Sequence, residues 1–506
     1  MEFSLSTSLL EKEIKLGAGP GFHLPNLDDI AEGVTPTALE TLRLSTVYYD
    51  TADLRIARWG CSLRHRAGEG WTVKLPSSAN GVTMEREELN FPGGQSKPPE
   101  GATKLLRAYI RHAELIPVVR LATRRQRVQL MDANGTKLAE VVDDEVSVLS
   151  GRHVASRFRE VELELSEGGA DLQQPVLVRL RRAGAGAPDP TSKQIRALGP
   201  LAQEPPEVAP VTLSATPSAT EVIQNVIAES VADLLRHDPG VRLGSDPEHV
   251  HQARVATRRL RSHLRTFQPL LDLDWVAGLR NELGWIASEL GAVRDLEVML
   301  DRLRKQTLHL PPSDARPAKS LTDSLSAEVD KERTKLDAQL GSERYVDLLE
   351  RLVEAARSPL FLPEAEGPAT EVLPKLAFGS WKKLRSAVGI LPSPPADSDL
   401  HNIRILAKRT RYAAEAVAPA VGERAKEFAV AVAKLQTVLG EHQDAVTMKA
   451  WLRTAAGSGR RAFVAGQLVG KEDVARMKST RQWRSIWKSL DRKRLRMWMI
   501  TTGKVD

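Results

Sequence analysis

The 506-residue chain is short of several things, and each shortage excludes something. It holds one cysteine, Cys61, so no disulfide can form within it, and a reducing compartment is expected. No apolar run approaches the ~18 residues of a membrane helix, so membrane insertion is not expected. The opening MEFSLSTSLLEKEIKL lacks the basic region and apolar core of a signal peptide, and a cytoplasmic protein is the expectation. A large charge excess is missing too: 72 basic residues against 65 acidic leave a net +7. Placement of charge therefore matters more than its sum, and nucleic acid, anionic lipid and polyphosphate all stay open as partners. What is present is a globular composition, 42% hydrophobic and 27% charged, on a chain too long for one core.

The texture changes near residue 200. Before it run short alternating stretches such as STVYYD, CSLRHR, GWTVKLP, RRQRVQL and FREVELELSEG, separated by turn signals such as AGEG and DANG. They predict an antiparallel sheet or barrel. After residue 220 the apolar period becomes helical, as in ATEVIQNVIAESVADLLRH. The fold class expected is α+β and multidomain: an N-terminal antiparallel β tunnel or barrel over 4–200, a Pro/Ala-rich linker over 201–219, and an all-α region over 220–500.

The helical region repeats itself. HQARVATRRLRSHL begins at His251 and HNIRILAKRTRYAA at His401; LGAVRDLEVM and LGEHQDAVTM follow in the same order. Two matching blocks at nearly equal separation predict a duplicated bundle, with copies over about 220–350 and 370–500.

Charge alternates along the β region. Glu11, Glu13 and Lys15 share one strand face, as do Glu160, Glu162 and Glu164. Arg64, Arg66, Lys74 and Arg125 follow the same pattern; parity leaves Arg86 and Arg127 open, and the run DDE leaves the register of Asp144 open. One such strand would have a wet face. All of them together predict a barrel closed with its charges inward, where carboxylates and cations need partners, metals or a charged ligand. Glu-x-Glu sets two carboxylates ~7 Å apart on one face, suited to hard cations such as Mg²⁺ or Mn²⁺. Arginine and lysine suit phosphate oxygens.

Glu11-x-Glu13-x-Lys15, followed in order by YYDTADLRIARWGCSLRHR, GWTVKLP, EREELN, FREVELEL and TSKQIRAL, resembles the CYTH domain, the triphosphate tunnel metalloenzymes, over roughly 4–200. The resemblance implies an eight-stranded tunnel that hydrolyses or binds triphosphate compounds with Mg²⁺ or Mn²⁺; some members are adenylyl cyclases or thiamine triphosphatases. It implies metal-side carboxylates at Glu11, Glu13, Glu162, Glu164 and Asp144. Glu160, holding water or a second metal, would be catalytic with Lys15 and Arg64. Arg66, Lys74, Arg86, Arg125, Arg127 and Lys193 would grip phosphates, Lys193 from a helix.

The repeat resembles the CHAD domain, named for conserved histidines that would here be His251 and His401, and the resemblance implies polyphosphate binding. The residues agree with it. His251, Arg254, Arg258, Arg261 and Arg265 fall on one helical face, and so do His401, Arg404, Lys408 and Arg411. Like charges so stacked destabilise a bare helix, and a polyanion would relieve them. Arg294, Asp295 and Asp444 read as ion pairs that orient the basic residues. In the tail, Trp483, Trp487 and Trp498 read as a packing face.

The expectation is a metal-dependent hydrolase of triphosphate or polyphosphate coupled to a polyphosphate-binding helical domain, in the cytoplasm and at polyphosphate granules, with no sequence-specific nucleic acid. The rivals are a non-catalytic polyphosphate adaptor and an adenylyl cyclase of the same tunnel family.

Overall fold

The computed structural model describes residues 7–80 and 83–500, with side chains over 12–76 and 86–500. The chain forms two compact units, 1–206 and 207–506.

Nine strands make the sheet of the first unit: β1 Thr7–Ala18, β2 Thr35–Asp50, β3 Ser62–Arg66, β4 Gly70–Asn80, β5 Thr83–Phe91, β6 Ile116–Met131, β7 Lys137–Ser150, β8 His153–Leu165 and β9 Ala185–Pro188. β1 pairs with β5 on one side and β8 on the other, which closes β1-β5-β4-β3-β2-β6-β7-β8 into a ring. Every pairing is antiparallel, so the ring has no free edge. β9 adds a ninth strand to the eight expected, lying against the end of β1.

Alternation then sorts the side chains. Ile14 and Leu16 of β1, Val141 of β7 and Val161 and Leu163 of β8 point outward. They pack under Phe22, Leu27 and Ile30 and under Val176, Leu177 and Leu180 of a covering helix. Each such side chain contributes ~1.5–3 kcal/mol when fully buried. The apolar layer is outside the ring, so the charged alternate residues must face its interior. Three short helices, α1 Arg55–Arg58, α2 Glu100–Leu105 and α3 Arg107–Ile110, join strands; α4 Gln173–Arg182 is the covering helix. Asp50 anchors α1 by accepting hydrogen bonds from the backbone amides of Thr51, Ile56 and Ala57 at 2.7, 2.9 and 2.9 Å. α5 Lys193–Leu198 begins at Ser192, whose hydroxyl accepts from the Ile195 amide. Its Ala197 and Leu198 pack on Tyr48, Val119, Leu121, Val146 and Val148, which closes one end of the barrel with apolar contacts.

No helix or strand occurs over residues 204–217. The second unit comprises α6 Ala219–Leu243, α7 Pro247–Phe267, α8 Leu273–Thr307, α9 Ala315–Leu340, α10 Glu343–Arg357, α11 Ala369–Gly389, α12 Asp397–Val421, α13 Glu423–Ala455 and α14 Gly459–Leu490. The duplication is visible in the backbone. The Ala219 amide donates to the Gly367 carbonyl, and the Ala369 amide donates to the Pro217 carbonyl, a reciprocal pair 150 residues apart. α8 and α9 share one apolar core with α13 and α14 through Leu303, Leu321, Leu325, Leu452 and Leu468. Trp483 and Trp498 are buried, and Trp487 stacks on Trp381 at 5.4 Å, so the tryptophans of the tail serve packing. No described helix is long and apolar enough to cross a membrane.

Candidate functional site: a charged barrel interior and a basic helical groove

Register brings the charges of the barrel together. Glu13 lies opposite Glu164, Lys15 opposite Glu162 and Gly17 opposite Glu160 across β1 and β8. Asp144 of β7 stands between Arg125 of β6 and Glu160 of β8. Lys15 donates a hydrogen bond to Glu162 and lies 3.0 Å from Glu13 and 3.9 Å from Glu160. Lys193, entering at the start of α5, lies 2.6 Å from Glu160, 2.9 Å from Glu162 and 2.9 Å from Asp144. Arg125 grips Asp144 by two bonds of 2.9 and 2.7 Å.

These contacts decide the protonation states. Burial opposes charge on every one of these groups, and the opposite charges overcome it in most. Lys15, Lys74 and Arg86 hold the Glu13 carboxyl below its usual range despite its burial. Burial likewise raises Glu162, but Lys15, Lys193 and Arg125 hold it well below that range. Asp144 is lowered by Lys193 and Arg125 against the same penalty. Lys15 and Lys193 are held protonated by their carboxylates. Glu160 differs: burial prevails and its carboxyl is raised.

Glu13, Lys15, Arg64, Arg66, Lys74, Arg86, Arg125, Glu162, Glu164 and Lys193 all line one cavity of about 50 Å³. That is room for a few waters, because the cations are folded onto the carboxylates. Glu160 and Asp144 are fully buried and do not line it. Arg127 does not line it either and pairs with Glu140 at 3.7 Å. The side chain of Glu11 lies outside the described residues. Glu88 was not singled out from the sequence, although it stands two residues past Arg86 on the same face; it holds Lys74 at 2.9 Å and Arg64 at 3.6 Å. Ser62, Ser192, Gln194 and Tyr48 also line the cavity.

The donors are carboxylate oxygens, the chemistry a hard divalent cation takes. Glu13 Oε1 is buried and accepts no hydrogen bond among the described residues, so one oxygen is available. Among the described residues no three acidic, histidine or cysteine groups form a ready metal cluster. Lys15 and Lys193 stand between the carboxylates instead.

In the helical unit, Arg254, Arg258, Arg261 and Arg265 of α7 and His401, Arg404 and Lys408 of α12 line a common groove of about 290 Å³. Arg254 donates to Asp295 at 2.9 Å. Its guanidinium lies over Gly291, where a Cβ would come within 3.3 Å of Nε; Gly440 makes the same space for Arg404 at 3.8 Å. Lys408 is pushed down to about 6 by burial and by Arg258, Arg404 and Arg254. His401 bonds Gln443 through Nδ1 at 2.8 Å. His251 is outside the groove lining, and Arg294 and other cations lower it further after burial has done so. Arg411 is also outside it and forms an ion pair with Glu415 one turn away at 3.2 Å. Arg409 and Tyr412 take part in the lining instead.

Comparison with known proteins agrees with this division. Residues 10–177 match the CYTH domain family and residues 225–453 the CHAD domain family. An uncharacterized protein of Mycobacterium tuberculosis is 30% identical over 511 residues, covering 96% of each chain. Among solved structures, PptA from Streptomyces chartreusis is 23% identical with a TM-score of 0.47, covering 54% of this chain and 99% of its own. The CHAD domain from the plant Ricinus communis is 24% identical with a TM-score of 0.42, covering 58% of this chain and 96% of its own. The chain belongs to the proteins that join an N-terminal CYTH domain to a C-terminal CHAD domain.

Proposed function

We propose that the barrel hydrolyses inorganic triphosphate, or the end of a polyphosphate chain, and that the helical unit binds polyphosphate. The observation that carries this reading is the single cavity in which Arg64, Arg66, Lys74, Arg86 and Arg125 face Glu13 and Glu162. The cations match phosphate oxygens, Arg through two bonds and Lys as a point charge. Mg²⁺ or Mn²⁺ at Glu13 and the neighbouring carboxylates would neutralise phosphate charge and polarise the bond to be broken.

The chain's own residues do the rest. Lys15, Lys193 and Arg125 leave their carboxylates for the phosphates, so the ion pairs of the free barrel are exchanged for contacts to substrate. Arg64 and Lys74 are released from Glu88 in the same way. Once Lys193 has left it, Glu160 opens to the cavity and takes the proton of the attacking water. Lys15 and Arg64 stabilise the charge that develops on the phosphoryl oxygens.

A second reading is a tunnel that binds without turnover, favoured by the lysines that already occupy the carboxylates. Phosphate release from tripolyphosphate, long-chain polyphosphate, ATP and thiamine triphosphate, with and without metal, separates the two. Metal-dependent release lost in Glu13→Gln is expected. Tight binding of tripolyphosphate without release by the metal-supplied wild type would leave the adaptor. Release of pyrophosphate from ATP together with formation of cyclic AMP would make the barrel a cyclase.

A further inference from the structure

The duplicated helices have diverged at one end of the groove. The offset between copies is 150 residues at both helix pairs: Ala219 to Ala369, and His251 to His401. At that offset Arg254 matches Arg404 and Arg258 matches Lys408, so the middle of the groove is basic in both copies. Beyond it the match fails. Arg265 corresponds to Glu415, Lys375 to Asn225 and Lys383 to Asp233.

The structure gives this divergence a place. Arg265 and Arg409 line the groove of about 290 Å³ and also a second cavity of about 250 Å³, whose other wall carries Lys375 and Lys383 of α11. The two cavities share Ser262 as well, so one continues into the next. Burial and then the charges of Arg409, Arg280 and Arg261 push Arg265 down to about 10. Lys375 and Lys383 are exposed, eight residues and ~12 Å apart along α11, long enough for several phosphate units. At the corresponding position of the other copy, Glu415 lies 3.2 Å from Arg411 and 3.9 Å from Arg259. Glu415 thus sets a counter-charge beside both arginines.

Given that the groove takes a polyanion, as proposed above, we infer that it runs one way: a linear polyphosphate lies along Arg254, Arg404 and Lys408 and leaves over Arg265 and Arg409 onto Lys375 and Lys383. This extension makes the unit selective for long chains. A short oligophosphate fills the middle of the groove and gains nothing from α11. A long chain adds the contacts on α11, and each contact releases counterions. The acidic end at Glu415 repels a chain that would leave on that side.

The test gives α11 the residues that α6 carries, Lys375→Asn with Lys383→Asp, both at exposed positions. Affinities for tripolyphosphate and long-chain polyphosphate are measured on the full chain without divalent metal, at two salt concentrations. The barrel contributes equally to wild type and variant and drops out of the comparison. The long chain should bind roughly tenfold more weakly with a salt slope reduced by about 0.7 per lost contact, and tripolyphosphate less than twofold more weakly. Arg254→Ala with Arg404→Ala is the companion measurement and should weaken both ligands. If the companion weakens binding and the α11 variant does not, the extension is wrong while the groove stands. If neither weakens binding, the groove reading fails and the extension with it. Equal losses for short and long chains would overturn the length selectivity, and tighter binding of RNA than of polyphosphate by the wild type would overturn the ligand.

Discussion

In the barrel, Lys15 and Lys193 stand among Glu13, Glu160, Glu162 and Asp144 and are held charged. In the helical groove, Lys408 stands among Arg254, Arg258 and Arg404, and burial with those neighbours pushes it down to about 6. Both sites collect cations, yet they solve the cost of doing so differently. The barrel carries its own counter-charges, so its ion pairs stabilise the empty fold and a ligand must displace them. The groove carries few, so the empty fold bears the repulsion and a ligand supplies what is missing. The first arrangement favours a selective site that opens only for a ligand able to replace every carboxylate contact. The second favours tight, salt-sensitive capture of any sufficiently dense polyanion.

The comparison breaks most visibly in the barrel. Glu162→Ala strips a carboxylate from Lys15, Lys193 and Arg125 together, and breaking a buried pair this way costs roughly 3–5 kcal/mol. A denaturant titration of the full chain should show the barrel unfolding much earlier, with tripolyphosphate restoring part of the loss. An unchanged midpoint would mean that these ion pairs do not support the fold.

The groove is expected to respond next. Arg254→Ala with Arg404→Ala should weaken long-chain polyphosphate binding about 10- to 100-fold and flatten its salt dependence. Titrations at two ionic strengths check both effects.

A smaller effect follows from Lys408. The free groove holds it neutral above about pH 6. A bound polyanion would hold it charged, so binding takes up a proton. Affinity should therefore rise severalfold as pH falls from 8 toward 6 and then level off, at a rate no steeper than tenfold per pH unit for one proton. Lys408→Arg stays charged and should flatten the profile; a wild-type profile already flat would place Lys408 in the charged state before binding.

The smallest effect sharpens the match between the copies. Gly291→Ala puts a Cβ within 3.3 Å of Arg254 Nε, while Gly440→Ala leaves 3.8 Å to Arg404 Nε. The first should lower polyphosphate affinity about two- to threefold by displacing the guanidinium, the second less, as competition binding can resolve.

Much of this was legible in the sequence because period and parity are local. Strand alternation put Glu13 and Lys15 on the face of Glu162, and closure of the ring by β1 with β5 and β8 turned that face inward. The helical period placed Arg254, Arg258, Arg261 and Arg265 on one side of α7, where the groove lies. What parity cannot give is the partner across space. Arg127 has the parity of Arg125 but faces Glu140, and Arg411 has the period of Arg404 but meets Glu415. Glu88 escaped because a glutamate in EREELN reads as an ordinary polar strand position until β3 and β4 bring Arg64 and Lys74 beside it. Lys375 and Lys383 were hidden for the same reason: they lie outside both repeated blocks and meet Arg265 and Arg409 only where α11 packs against α7 and α12.

The contrast between answered and unanswered charge is tested most directly by calorimetric unfolding of the ligand-free full chain in Glu162→Gln and Lys408→Met. Glu162→Gln removes a buried charge, Lys408→Met removes an amine that the free groove must hold deprotonated, and both keep the side chain's approximate size. The account predicts opposite signs: Glu162→Gln lowers the transition of the barrel, while Lys408→Met raises that of the helical unit by a few degrees, about 2–4 °C per kcal/mol of deprotonation cost relieved, and shrinks the further rise caused by polyphosphate. A helical transition lowered by Lys408→Met would show that the groove's charge is already balanced, and would contradict the account.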